Sequence, residues 1–161
     1  MKTQQELIIQ QLIDNWNSHV KRTDNLLITL SDEQLQNEIA PGKNRGIYLL
    51  GHLAAVHDRM IPLMGFGKQL RPEMEEFFIL NPDKSKTNLP SIKELRAYWT
   101  EVNALLSSHF NAMKTDNWFE RHTSVTEEDF AKEPHRNKLG IVISRTSHLA
   151  YHLGQLALLK K

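Results

Sequence analysis

The chain of 161 residues contains no cysteine. Disulfides, thiolate metal ligands and a thiol nucleophile of the protein's own are excluded, so any sulfur chemistry must use a thiol from outside. One-sided charge is missing as well: Lys and Arg total 20 against 19 Asp and Glu, a formal net charge of +1, with no long block of either sign. Phosphate backbones are bound by basic patches or stripes, so nucleic acid is not an expected partner. No apolar run approaches the ~18 residues of a membrane span. The first residues, Met1-Lys2-Thr3-Gln4-Gln5-Glu6, carry no apolar signal segment. The expectation is a soluble cytoplasmic protein with no membrane partner. Internal repeats, low-complexity tracts and strand-like alternation are absent too, and the length suits one domain able to bury its own core.

What is present is helical periodicity. Thr3-Gln4-Gln5-Glu6 is a capping box, and Ile9, Leu12, Ile13, Trp16 and Val20 follow at helical spacing, which predicts a first helix to about residue 22. Ser31-Asp32-Glu33-Gln34 starts a shorter helical piece that Pro41-Gly42 ends. The next long helix is expected from Asn44 or Arg45 to about Gly65, with a stripe of Leu49, Leu53, Val56, Met60 and Leu63. Residues 65–90 hold Pro72, Pro82 and Pro90 and read as a long crossover with a helical turn near Glu73 to Phe78. A second capping box, Ser91-Ile92-Lys93-Glu94, opens a third helix with a seam of Ile92, Leu95, Trp99, Val102, Leu106, Phe110 and Met113. After an irregular stretch from Thr115 to Asn137, with a cap-like start at Thr126, a last helix carries Leu139, Val142, Leu149, Leu153 and Leu156 on one side. Four such helices with long connections imply an all-α four-helix bundle with crossovers. From Leu149 to Leu159 the last helix is apolar nearly all round, more than one seam needs. A homodimer interface is the expected cover, with the long loops as the alternative.

Chemistry concentrates in that last helix, in Ser147-His148-Leu149-Ala150-Tyr151-His152-Leu153-Gly154-Gln155. Successive helical residues advance about 100°, so His148 and His152 lie about 40° apart, one turn from each other, and both imidazoles can reach one ion. His52, inside the apolar run Tyr48-Leu49-Leu50-Gly51-His52-Leu53-Ala54-Ala55-Val56, is the candidate third ligand. Three imidazoles leave an open position on a metal ion, which suits catalysis better than a closed structural site. Water there acquires a pKa of about 7 on zinc, and a thiol binds as thiolate. Imidazole suits several divalent transition metals, of which zinc or nickel is the expected cofactor. Ligation needs neutral imidazoles, so affinity should fall below about pH 6.5.

The spacing matches the two histidines of zinc proteases, but Leu149 stands where those enzymes place a general-base Glu. No Glu-x-x-His pair of the di-iron bundles occurs either. No catalytic acid or base can be assigned. Arg145 and Tyr151 are neighbours in sequence, Gln155 is a candidate hydrogen-bond partner of a ligand, and Gly154 a candidate close-packing residue. His57 should face away from His52, His109 is a reserve ligand, and His19, His122 and His135 read as surface or loop residues. Trp16, Trp99 and Trp118 read as packing residues, with Trp118-Phe119 as an alternative lid.

Asn44-Arg45-Gly46-Ile47-Tyr48-Leu49-Leu50-Gly51-His52-Leu53 and the 147–155 segment together resemble the second-helix and last-helix motifs of the DinB/YfiT-like superfamily of proposed metalloenzymes. The resemblance covers essentially the whole chain. It implies an up-up-down-down four-helix bundle, often dimeric, with a divalent metal on His52, His148 and His152. Characterised members of the superfamily include S-transferases that use bacillithiol and mycothiol-dependent enzymes. By that likeness the chain is expected to transfer a small-molecule thiol to an electrophile. Hydrolysis by metal-bound hydroxide and a non-catalytic metal-binding stress-response bundle remain the alternatives.

Overall fold

The computed structural model describes residues 1–160, and among them it contains seven α-helices, one 3-10 turn and no strand, only two isolated bridges. Four helices are long: α1 (Gln4–Thr29), α3 (Gly46–Leu63), α5 (Ile92–Ala112) and α7 (Lys138–Ala157). Three are short: α2 (Asp32–Leu35), α4 (Met74–Phe78) and α6 (Glu127–Lys132). Both arms of the expected capping boxes form at Thr3 and Ser91: Glu6 and Glu94 N–H donate to the cap hydroxyls at 3.2 Å, and their carboxylates accept the cap N–H groups. The helix at residue 4 continues to Thr29, not to about 22. The polar stretch Lys21-Arg22-Thr23-Asp24 is no terminator, because Thr23 is buried, Asp24 accepts the Trp99 indole N–H at 2.7 Å, and Leu26 and Leu27 resume the seam.

Contacts fix the helix directions. Arg96, near the start of α5, donates to the Leu27 and Leu30 carbonyls at the end of α1, so these two helices are antiparallel. Along α3 and α5, His57 meets Trp99, and Phe66 just beyond α3 meets Phe110, so these two are parallel. Gly46 at the start of α3 lies against Leu159 just past α7, which makes that pair antiparallel. Around the bundle the order α1, α7, α3, α5 reads up, up, down, down. Along the chain the same directions read up, down, down, up, so the parallel neighbours are α3 with α5 and α1 with α7.

Two parallel helices in succession need a return strap as long as the helix, and residues 64–91 supply it. The strap runs back along α3 by an ordered set of attachments. Buried Asp58 accepts the N–H groups of Leu70 and Arg71 at 2.7 and 2.8 Å and the Tyr98 hydroxyl at 2.7 Å. Next, Arg59 grips Glu75, and Phe78 lies on Gly51, where a Cβ would overlap its ring. Tyr48 then donates to the Asn81 carbonyl at 2.9 Å, and Asp83 accepts the Arg45 N–H at 2.8 Å at the mouth of α3. Flanked by α5, α7 and the strap, α3 buries 14 residues, including Leu49, Leu53, Val56 and Met60 of its stripe. The second long connection, 113–137, joins the end of α5 to the start of α7 at the same end of the bundle, and its 3-10 turn packs against α1 and α7. Trp118 is buried there against Phe110 at 5.5 Å, a core residue and not a lid. No described helix is long and apolar enough to cross a membrane.

Candidate metal centre

Rise and rotation of α7 bring His148 and His152 to one face, and antiparallel packing lays His52 of α3 opposite them. The three residues form one group in which a nitrogen of each lies within 4.8 Å of the others. The Nε2 of His148 is 3.1 Å from that of His52 and 3.1 Å from that of His152. All three side chains are half-buried.

The opposite ring nitrogens decide what such a cluster can hold. His52 Nδ1 lies 2.7 Å from the Phe78 carbonyl, an obligate acceptor, so the ring proton sits on Nδ1. His152 Nδ1 lies 2.6 Å from Gln155 Oε1 and is a donor for the same reason, the role expected of Gln155. Both Nε2 atoms therefore present lone pairs to His148 Nε2. One proton on His148 can bridge only one of these contacts, and the other sets lone pair against lone pair. A cation at the meeting point relieves both. Two nitrogens bonded to one ion at ~2.1 Å, with an angle near 95° between the bonds, lie about 3.1 Å apart, so the donor set fits a divalent transition metal.

Electrostatics favour the ligating form. Burial lowers the pKa of His148 to about 4, with the neighbouring His152, His52 and Arg145 acting in the same direction. Burial also lowers His52 and His152, against the upward pull of their hydrogen bonds to Phe78 and Gln155. No carboxylate or thiol belongs to the group, so its donors are neutral nitrogens alone.

The surroundings of His52 explain how its ring is held. Gly51 admits the Phe78 ring against α3, and the carbonyl of that same residue fixes His52. Tyr48 stacks near His52, with ring centres 6.2 Å apart and planes 11° apart. Spacing alone reveals neither role, because both depend on a strap some thirty residues away in sequence.

Other histidines stay out of the cluster. His57 is fully buried between Trp16 and Trp99, at 4.7 and 5.0 Å, and donates through Nδ1 to Asn103 Oδ1 at 2.8 Å. His109, the reserve ligand, instead stacks on Phe66 at 4.3 Å. His122 lies in a loop as expected, but it is buried and pairs with Ser124 at 2.9 Å. His19 is half-buried and His135 exposed. Gly154 has open space where a Cβ would stand, so close packing is not its role. Tyr151 is 64% exposed with its ring 5.0 Å from that of His152.

No curated protein matches the sequence. Among solved structures, the chain is similar to a conserved protein from Enterococcus faecalis, at 16% identity and a TM-score of 0.66, with 93% of each chain covered. At that identity the likeness shows a shared fold. Residues 15–156 match the sequence model of the DinB superfamily, a span that includes His52, His148 and His152. The chain belongs to the DinB superfamily.

Proposed function

We propose that His52, His148 and His152 hold one divalent metal ion, zinc or nickel, through Nε2, and that the chain is a metal-dependent enzyme. Its reaction in this reading is transfer of a low-molecular-weight thiol to an electrophilic small molecule. The observation that carries the metal reading is the approach of His148 Nε2 to those of His52 and His152, 3.1 Å from each, with the protons of the latter two committed elsewhere. When bound, the ion supplies acidity: it lowers the pKa of a thiol or water placed on it.

The chain's own residues explain why thiol activation is favoured. The group holds no carboxylate, and Leu149 occupies the position from which a protease Glu would take a proton from water. A thiol, with an ordinary pKa of about 8.5, needs far less help to ionise than water does. Half-burial of all three imidazoles leaves the group reachable from solvent, which a closed structural site would not require. With no cysteine in the chain, the nucleophile is the bound thiol itself. A second copy of the chain completes the proposal. Ile143 and Tyr151 of α7 and Leu158 just past its end stand 50, 64 and 63% exposed, and a homodimer would cover them.

The test is conjugation of 2-mercaptoethanol to an activated aryl chloride by protein loaded with zinc or nickel, read by mass spectrometry of the product. Thioether formation above the uncatalysed rate, abolished in His148→Ala, supports the reading. Replacement of the chloride by hydroxyl at the same rate without thiol would point to the hydrolytic alternative. No acceleration by either route over a panel of thiols and electrophiles would leave only metal binding.

A further inference from the structure

Among the described residues, three buried side-chain polar atoms have no hydrogen-bond partner: His57 Nε2, Arg145 Nε and His148 Nδ1. Such atoms are uncommon because each forfeits its interaction with water. Two of them belong to the same face of α7. Arg145 precedes His148 by three residues and His152 by seven, which places it about 60° and 20° from them around the helix. It follows that the guanidinium sits one turn from the histidine cluster.

Arg45 and Arg59 show what this chain does with an arginine edge. Arg59 donates from Nε to Glu75 Oε1 at 2.7 Å and from an NH2 group to Oε2 at 2.6 Å. Arg45 holds Asp83 through the same two positions, at 3.2 and 2.7 Å. In Arg145 that edge is buried at Nε and meets no carboxylate among the described residues. Arg59, whose charge is felt at Arg145, is already matched by Glu75, which Gln69 also holds. His148 adds a second donor. Once its Nε2 faces a cation, its proton must sit on Nδ1, where no described residue accepts it.

We propose that the unpaired edge of Arg145, together with His148 Nδ1–H, is the docking point for a carboxylate of the enzyme's small-molecule substrate. The proposal rests on the metal-enzyme reading above and deepens it. One planar fork of parallel N–H donors suits a monoanionic, planar carboxylate. A phosphate dianion would ask for a second free cation, and the charge of Arg59 is already matched by Glu75. A carboxylate on Arg145 would hold the rest of the molecule within a helical turn of the metal centre, so Arg145 acts as a positioning residue. His57 Nε2 takes no part, since it offers a lone pair and is enclosed by two indoles.

The test uses the full chain, labelled with 15N-arginine and loaded with one equivalent of zinc. Succinate is the probe, with succinamide and inorganic phosphate as controls. The Nε–H resonance of Arg145 is identified by its loss in Arg145→Lys. Succinate should shift that resonance saturably, and succinamide and phosphate should not. By calorimetry, Arg145→Gln should bind succinate about tenfold more weakly or worse, as expected for loss of a charged hydrogen-bonding partner. An unshifted resonance, or an equal response to succinamide or phosphate, overturns the carboxylate site. Zinc content measured on the same samples separates this from the metal reading. Wild type and Arg145→Gln should both retain the ion. A wild-type chain that binds succinate but no zinc would overturn the metal centre alone.

Discussion

At the scale of single residues, ring protons decide the behaviour of the histidines. His52, His148 and His152 are held neutral by burial below the ordinary histidine pKa, to about 4 for His148. Competition between protons and metal is therefore displaced downward. Zinc affinity should stay level as pH falls from 7.5 through about 6.5, and decline only well below the ordinary histidine value. Chelator competition across this range checks it, and a decline centred at 6.5 would contradict the depressed values. The expectation from unperturbed histidines, a loss beginning at about 6.5, is thus moved by the burial that folding imposes. Substitution of a cluster histidine should act on metal binding more than on the fold. His148→Ala should lose most bound metal while the far-UV helical signal is kept, because the core is built from side chains such as Leu50, Leu53, Trp16 and Trp99.

His57 makes a different contribution. Burial pulls its pKa down to about 3, against the hydrogen bond to Asn103, while the unfolded chain keeps the ordinary value near 6.5. Between those values the unfolded chain binds a proton that the native state refuses. The resulting stability is complete above 6.5 and is lost as pH falls toward 3. At pH 5 the loss from this residue is on the order of 2 kcal/mol. Urea unfolding of the metal-free chain at pH 7.5 and 5 should show that fall, and His57→Gln should show a shallower one. Equal pH dependence in the two proteins would remove the role assigned to His57.

At the scale of elements, the strap 64–91 is what makes the site possible. It turns α5 parallel to α3, and it carries the carbonyl that orients His52. Gly51→Ala would push the Phe78 ring off α3 and misplace that carbonyl, so metal affinity should fall about tenfold or more, as for loss of other outer hydrogen-bond partners. Unchanged zinc affinity in a folded Gly51→Ala chain would contradict this. Asp58 pins the other end of the strap. Asp58→Ala strips acceptors from two backbone N–H groups and the Tyr98 hydroxyl, at a cost of about 3 kcal/mol, measurable by urea unfolding. A loss under about 1 kcal/mol would mean that the strap is held mainly by its apolar contacts.

These attachments show where the sequence is legible and where it is not. Capping boxes at Thr3 and Ser91, the seam of α5 and the pair His148 and His152 are local patterns, and each is found where the spacing places it. The third histidine of the cluster, His52, is legible because an imidazole in an apolar run needs a partner. Gly51 and Asp58 are opaque, since their meaning depends on residues 27 and 12 positions away that periodicity does not connect. The end of α1 is missed because a polar stretch resembles a terminus until Asp24 is seen to accept from Trp99. Arg145 is equally invisible beforehand, as a partnerless guanidinium is recognised only when every neighbouring carboxylate has been placed.

For the whole molecule, the all-α bundle and the DinB family membership agree, and both direct attention to the α3 and α7 faces. Ile143 and Tyr151 of α7 and Leu158 just past it remain exposed in the single chain, where the loops do not cover them. Sedimentation equilibrium should give about twice the chain mass of 18.7 kDa, reverting to the single mass in Tyr151→Glu with Leu158→Glu. A wild-type monomer at micromolar concentration would set the homodimer aside without touching the histidine cluster, which lies within one chain.

The most direct measurement is elemental analysis of untagged protein purified without chelator or added metal, wild type beside His52→Ala. About one transition-metal ion per wild-type chain, lost in the variant while the helical signal remains, is the predicted result. No bound metal in the wild type, even after incubation with zinc or nickel, would contradict the account at its centre.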